Sequence, residues 1–185
     1  VVKELINLMK KGDRAVIEQL LGYEEDTAGG LMTTEYIAIS NKVDVKGALK
    51  KIKEMSPKTE LLDTLFITDV NKKLIGIVDL RDILIEDENK DINEIINKDF
   101  VYVEPETDQE EVALLANKYD LTVIPVVSKN MALLGIITID DIVDVMVEEH
   151  TEDVLKLGGV AKEETLDSTV WESIKMRFPW LLVNL

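Results

Sequence analysis

Over the middle of the chain, apolar residues come in short runs split by polar turns, and between those runs they recur at helical spacing. Residues 122–127, TVIPVV, and 133–138, LLGIIT, are rich in β-branched side chains and predict two strands divided by a polar SKN turn. Ahead of them, Thr107 and Glu110 form a capping-box pattern. A helix is therefore expected from Asp108 to about Tyr119, with Val112, Leu115 and Ala116 facing inward. Thr138 with Asp141 reads as a second cap, opening a helix whose apolar face is Ile139, Ile142, Val143 and Met146.

The same order occurs earlier, which turns a list of elements into a repeat. LIGIVDLRDILI from Leu74 matches LLGIITIDDIVD from Leu133 at an offset of 59, and YIAISNKVDVKGAL from Tyr36 matches FVYVEPETDQEEVA from Phe100 at an offset of 64. The first copy thus carries five extra residues, placed around SPKTE. Asp44 is its first cap, leading a helix through Leu49 and Ile52; TLFITDV and LIGIV are its strands; Asp79 caps LRDILI. Strands mixed with short helices make the fold class α/β (α+β), two copies of one unit packed together.

Charge narrows the function. The 185 residues hold 37 acids against 21 bases, a net charge of -16, so nucleic acid is not an expected partner and cations are. There is no cysteine and a single histidine, His150, which excludes disulfides and thiolate metal sites. Gly-x-Ser-x-Gly and His-Glu-x-x-His are also missing, so no hydrolase chemistry is expected. The chain opens on VVKELINLMKKG, the middle of an amphipathic helix, and stops on the apolar FPWLLVNL; segments beyond both ends are expected. Eight apolar residues do not span a bilayer, which needs about 20.

The run DDIVDVMVEEHTED, residues 140–153, holds seven carboxylates and no Lys or Arg. On a helix, Asp141, Asp144, Glu148 and Glu152 gather opposite the apolar face, while His150 and Asp153 fall where Ile142 and Met146 faced the core. A solvated face is the ordinary reading of such a run. Here each like-charged pair at helical spacing costs ~0.2–0.5 kcal/mol with no base to offset it, which favours an external cation. Hard oxygen ligands favour Mg2+ or Ca2+, and the Asp-x-Asp-x-Asp-Gly loop of an EF-hand is missing. His150 is open to either metal ligation or hydrogen bonding.

Both copies, with their strand-Gly-strand-x-x-Asp pattern, resemble CBS (cystathionine β-synthase type) motifs, which pair into a Bateman module. The flanking GYEEDTAGGLMT (from Gly22) and EEHTEDVLKLGGV (from Glu148), with YDLTVIPVV between them, resemble the cytosolic part of MgtE-type magnesium transporters, which are magnesium-gated channels. The likeness runs over residues 20–185. It implies the end of an N-terminal helical domain at 1–22, a first CBS motif with its leading linker at 23–92, a second at 93–157, and a connecting helix at 158–185 leading to a membrane pore domain. Thr169 with Glu172 would cap that last helix, and Trp171, Lys175, Arg177 and Trp180 suit a membrane boundary. The parent chain would sit at the cytoplasmic face of the cell membrane as a homodimer joined through the CBS motifs.

The resemblance also implies ligands. Asp141, Asp144, Glu149, Glu152 and Asp153 are the expected Mg2+ ligands. Asp120, Asp108 and Glu110, with backbone around Gly29 and Gly30, would form a further group. Capping explains Asp108 and Glu110 equally well, and a turn explains Asp120. CBS pairs also bind adenosine nucleotides such as ATP; here Arg81 and Asp82 would meet phosphate and ribose, with Ile124 and Pro125 as the apolar wall for the base. The alternative is that Arg81 and Asp82 simply start a surface helix. In the second copy the matching residues are Asp140 and Asp141, so that cleft lacks the base. A regulatory subunit of an enzyme is a further reading; catalysis by the chain itself is not expected.

Overall fold

The computed structural model describes residues 20–55 and 63–157. The expected N-terminal helix, the capping box at Thr169 and the connecting helix lie outside the described residues. The chain divides into two compact units, Val1–Ile142 and Val143–Leu185. The first unit carries every described strand.

In chain order the elements are α1 (Ala28–Leu31), β1 (Ala38–Ser40), α2 (Val45–Met55), β2 (Thr64–Thr68), β3 (Leu74–Asp79), α3 (Leu80–Ile85), α4 (Gln109–Tyr119), β4 (Val123–Val127), β5 (Leu133–Thr138) and α5 (Ile139–Leu157). A 3-10 turn at Ile92–Glu94 precedes the second copy. β1 pairs parallel to β2, which pairs antiparallel to β3; β4 and β5 form the matching antiparallel pair. Both pairs of strands shift register at the same place, between Ile67 and Thr68 and between Val126 and Val127.

The first strand of the second copy shrinks to one bridge, Val103 to Val126. Its cause is a single residue. In copy one, Phe66 N–H donates to Ile37 O at 3.0 Å. The residue at the Phe66 position of copy two is Pro125, which has no N–H to give, so the ladder stops there.

The two copies are joined reciprocally. Leu74 N–H donates to Met131 O at 2.7 Å, and its counterpart Leu133 N–H donates to Lys72 O at 3.3 Å. Lys72 and Met131 both take left-handed backbone, φ 61° and 62°, at the end of equivalent turns. Each copy's leading segment also crosses to the other copy. Thr33 bridges Ile136 and Asn97 bridges Ile77, positions related by the two sequence offsets.

Two glycines make this crossing possible. A Cβ at Gly76 would collide with the Ile96 side chain and lie 2.7 Å from Asn97 O; a Cβ at Gly135 would lie 2.8 Å from both Met32 Sδ and Thr33 O. The repeated glycine between strands therefore marks where foreign backbone approaches the sheet.

Two cores follow. One, within copy one, groups Ile37, Ile39, Val45, Leu65, Ile67, Val78, Ile83 and Ile92. The other lies where the copies meet and takes Phe66 and Leu74 from one, Val123, Val127, Leu133 and Ile136 from the other. Tyr36 packs edge-on to Phe66 there, ring centroids 6.0 Å apart.

Candidate functional site

The expected helix starts are observed with one displacement. Asp44 Oδ1 accepts the Gly47 N–H at 2.8 Å, capping α2. α4 is capped by Asp108, whose Oδ1 accepts the Glu110 N–H at 2.8 Å, and not by Thr107. Asp108 is the direct counterpart of Asp44 at the 64-residue offset, so the repeat located the cap better than the capping-box pattern did. Asp79 occupies the cap position of α3 without a side-chain capping bond.

Among the expected cation ligands, Asp141 serves the helix. The Thr138 hydroxyl donates to its Oδ2 at 2.6 Å and the Thr138 N–H at 3.4 Å. Asp144 is exposed and Glu149 half-buried on α5; Glu152 and Asp153 belong to the same helix, with side chains outside the described part. His150 is exposed.

The second expected group is brought together only in part. Ala28 and Gly29 donate their N–H groups to Thr107 O and Pro105 O at 2.7 and 2.8 Å, and Thr27 bridges Asp108. Gly29 is buried and Gly30 exposed beside exposed Asp108 and Glu110. Asp120 stands at the other end of α4, as its left-handed C-cap with φ 52°. The eleven-residue helix puts about 18 Å between it and Asp108. Within one chain these acids do not converge, and among the described residues no group of three acids or histidine is placed to hold a metal.

The nucleotide residues are better clustered. Arg81 and Asp82 line a hollow of about 700 Å³ with Asp63, Asp79 and Leu84. A second hollow of about 280 Å³ starts at the adjacent Thr64 and is walled by Phe66, Phe100, Tyr119, Val123 and Pro125, with Asn97 and Asp99 at its polar side. Pro125, expected as a wall for the base, lines this second hollow. Ile124 does not: it is fully buried, and strand alternation turns it to the opposite face from Val123 and Pro125. The sequence also missed Asp63, Asp79 and Asp99. Leu80 N–H donates to Asp63 O at 2.8 Å, holding Asp63 beside the start of α3, a contact no local pattern announces.

Two α/β copies that exchange leading segments, with one hollow on the first copy and another lined by both, define a tandem-repeat module. The chain belongs to the CBS domain family, matched over residues 28–89 and 92–148. It is 42% identical over 158 residues, 85% of its length, to the magnesium transporter MgtE of Thermus thermophilus, and 32% identical over 180 residues, 97% of its length, to that of Bacillus subtilis. It spans only 35% and 40% of those relatives. Among solved structures it is similar to the cytosolic domain of the Mg2+ channel MgtE in complex with ATP, at 41% identity and a TM-score of 0.74, covering 77% of this chain and 58% of that one. These relatives are transporters and not enzymes, in agreement with the absence of catalysis expected from the sequence. No described helix is long and apolar enough to cross a membrane.

Proposed function

We propose that this chain is the magnesium-sensing cytoplasmic region of a magnesium transporter or channel. The observation that carries the reading is the 42% identity to a magnesium transporter over 85% of the chain. The acidic run supports it: seven carboxylates without a base suit hydrated Mg2+, which keeps most of its waters and takes one or two carboxylates per site.

Without Mg2+, repulsion among Asp141, Asp144, Glu149, Glu152 and Asp153 and the acids of facing surfaces keeps the assembly open. Bound ions bridge those surfaces, and the compact state is populated in proportion to its tighter binding. Moving a switch from 1:99 to 99:1 takes about 5.5 kcal/mol, which several weak sites acting together supply. Helices leading to the pore of the parent protein then close it, and magnesium limits its own entry. The working unit is a homodimer joined through the CBS motifs, for which exposed Leu84 and Ile85 on α3 and Val147 and Val154 on α5 offer apolar surface.

Calorimetric titration of Mg2+ into the chain, with K+ holding ionic strength constant, tests this. Binding is expected for the wild type and is lost on combining Asp141→Asn, Asp144→Asn, Glu149→Gln, Glu152→Gln and Asp153→Asn. Equal heats from both proteins would contradict the reading.

A second ligand is favoured by a separate observation. The apolar hollow at Val123 and Pro125 begins at Thr64, next in sequence to Asp63 of the polar hollow at Arg81 and Asp82, and the pair has the two-part character of a nucleoside site. The ring of adenine suits the former, ribose and phosphate the latter. The similar MgtE cytosolic domain was solved with ATP.

A further inference from the structure

The two-part cleft carries a charge that its ligand must answer. Among the described residues, Asp63, Asp79 and Asp82 line the polar hollow and Asp99 the apolar one, against one guanidinium, Arg81. Asp63, Asp79 and Asp99 are exposed side chains at the mouth, and Asp79, at the cap position of α3, makes no capping bond that would tie up its carboxylate. Four negative charges and one positive face any phosphate chain laid across the cleft. The guanidinium can hold one phosphate in its planar fork; a second and third phosphate find only carboxylates.

We propose that this cleft selects its adenine nucleotide by charge: affinity falls with each uncomplexed phosphate, and a divalent cation bound to the polyphosphate restores most of the lost affinity. The inference rests on the nucleotide reading above and adds what that reading leaves open, the charge state of the ligand. It also couples the two ligands of the module, because the nucleotide enters as its cation complex when it carries more than one phosphate. With a net three negative charges at roughly 8 Å, each added phosphate charge weakens binding about five- to tenfold at low ionic strength, and less as salt screens the cleft.

The test is calorimetry or equilibrium dialysis with the full 185-residue chain and AMP, ADP and ATP, first in EDTA and then in Mg2+ at matched ionic strength. In EDTA the expected order is AMP tightest, then ADP, then ATP; in Mg2+ the affinity for ATP rises by at least tenfold while that for AMP changes little. Because Mg2+ could also act from elsewhere on the chain, the Asp63→Asn, Asp79→Asn double variant is measured in EDTA. It should bind ATP at least tenfold more tightly than the wild type and show a smaller Mg2+ effect. ATP binding as tightly as AMP in EDTA, or a double variant with unchanged ATP affinity, overturns the charge selection and leaves the nucleotide site standing. Failure of all three nucleotides to bind in either medium removes both.

Discussion

The two copies share a skeleton and differ where ligands would bind. Their common positions make backbone: Asp44 and Asp108 cap, Lys72 and Met131 turn, Gly76 and Gly135 clear space for crossing strands. Their divergent positions carry charge: Arg81 and Asp82 in copy one answer to Asp140 and Asp141 in copy two. α3 stops after six residues, whereas its counterpart α5 runs for 19 and carries the acidic run. The shared positions are those that fold; on the proposed function the divergent ones are those that bind, nucleotide beside α3 and cation along α5.

The largest effect should come from the core where the copies meet. Phe66→Ala removes a fully buried ring and should cost about 3–5 kcal/mol, read as a lower denaturant midpoint, whereas Pro125→Ala, at the equivalent position, should cost far less. Equal losses would mean that the copies contribute symmetrically to that core, against the packing described above.

Next come the glycines. Gly76→Ala and Gly135→Ala should each cost about 1–3 kcal/mol by overpacking, with Gly76 the worse because stiff Ile96 opposes it while Gly135 faces flexible Met32. Thermal unfolding of the two variants checks the order, and a neutral Gly76→Ala would break the crossed-segment account.

Smaller still are the caps. Asp44→Ala and Asp108→Ala should each lose about 1 kcal/mol. If Asp108 is a cap and nothing more, both variants keep the wild-type response to Mg2+; a response lost only in Asp108→Ala would restore it as a ligand.

The smallest effect separates the two hairpin turns by pH. The Lys73 N–H, and then that of Asn71, holds the Asp69 carboxyl below its ordinary pKa. Its turn is therefore stabilised above the unfolded carboxylate value, and that contribution is lost as pH falls below about 4. Ser128 holds the same place in copy two through its hydroxyl, which does not titrate. Amide exchange should quicken in the first turn alone on acidification.

Much of this was legible because local chemistry repeats. The offsets of 59 and 64 residues pair the strands of the two copies as the structure has them. What escaped was non-local. A capping-box pattern at Thr107 and Glu110 was locally plausible, yet the bridge from Thr27 to Asp108 fixes the helix start one residue later. Ile124 and Pro125, neighbours on β4, face opposite sides and cannot share one wall; which of them meets the hollow is set by the partner strand. The leading linker implied by the resemblance pairs with the second copy through Thr33 and Ile136, a contact no local pattern announces. The grouping of Asp120 with Asp108 failed within one chain because a helix of eleven residues intervenes.

Small-angle scattering of the chain during a Mg2+ titration at fixed ionic strength, with K+ as the replacement ion, tests the central claim most directly. A magnesium sensor shows a radius of gyration that falls with Mg2+ and stays constant with K+, and neutralising the five acids of the run abolishes the fall. A radius that ignores Mg2+, or that follows K+ equally, would contradict the account and return the acidic helix to an ordinary solvated face.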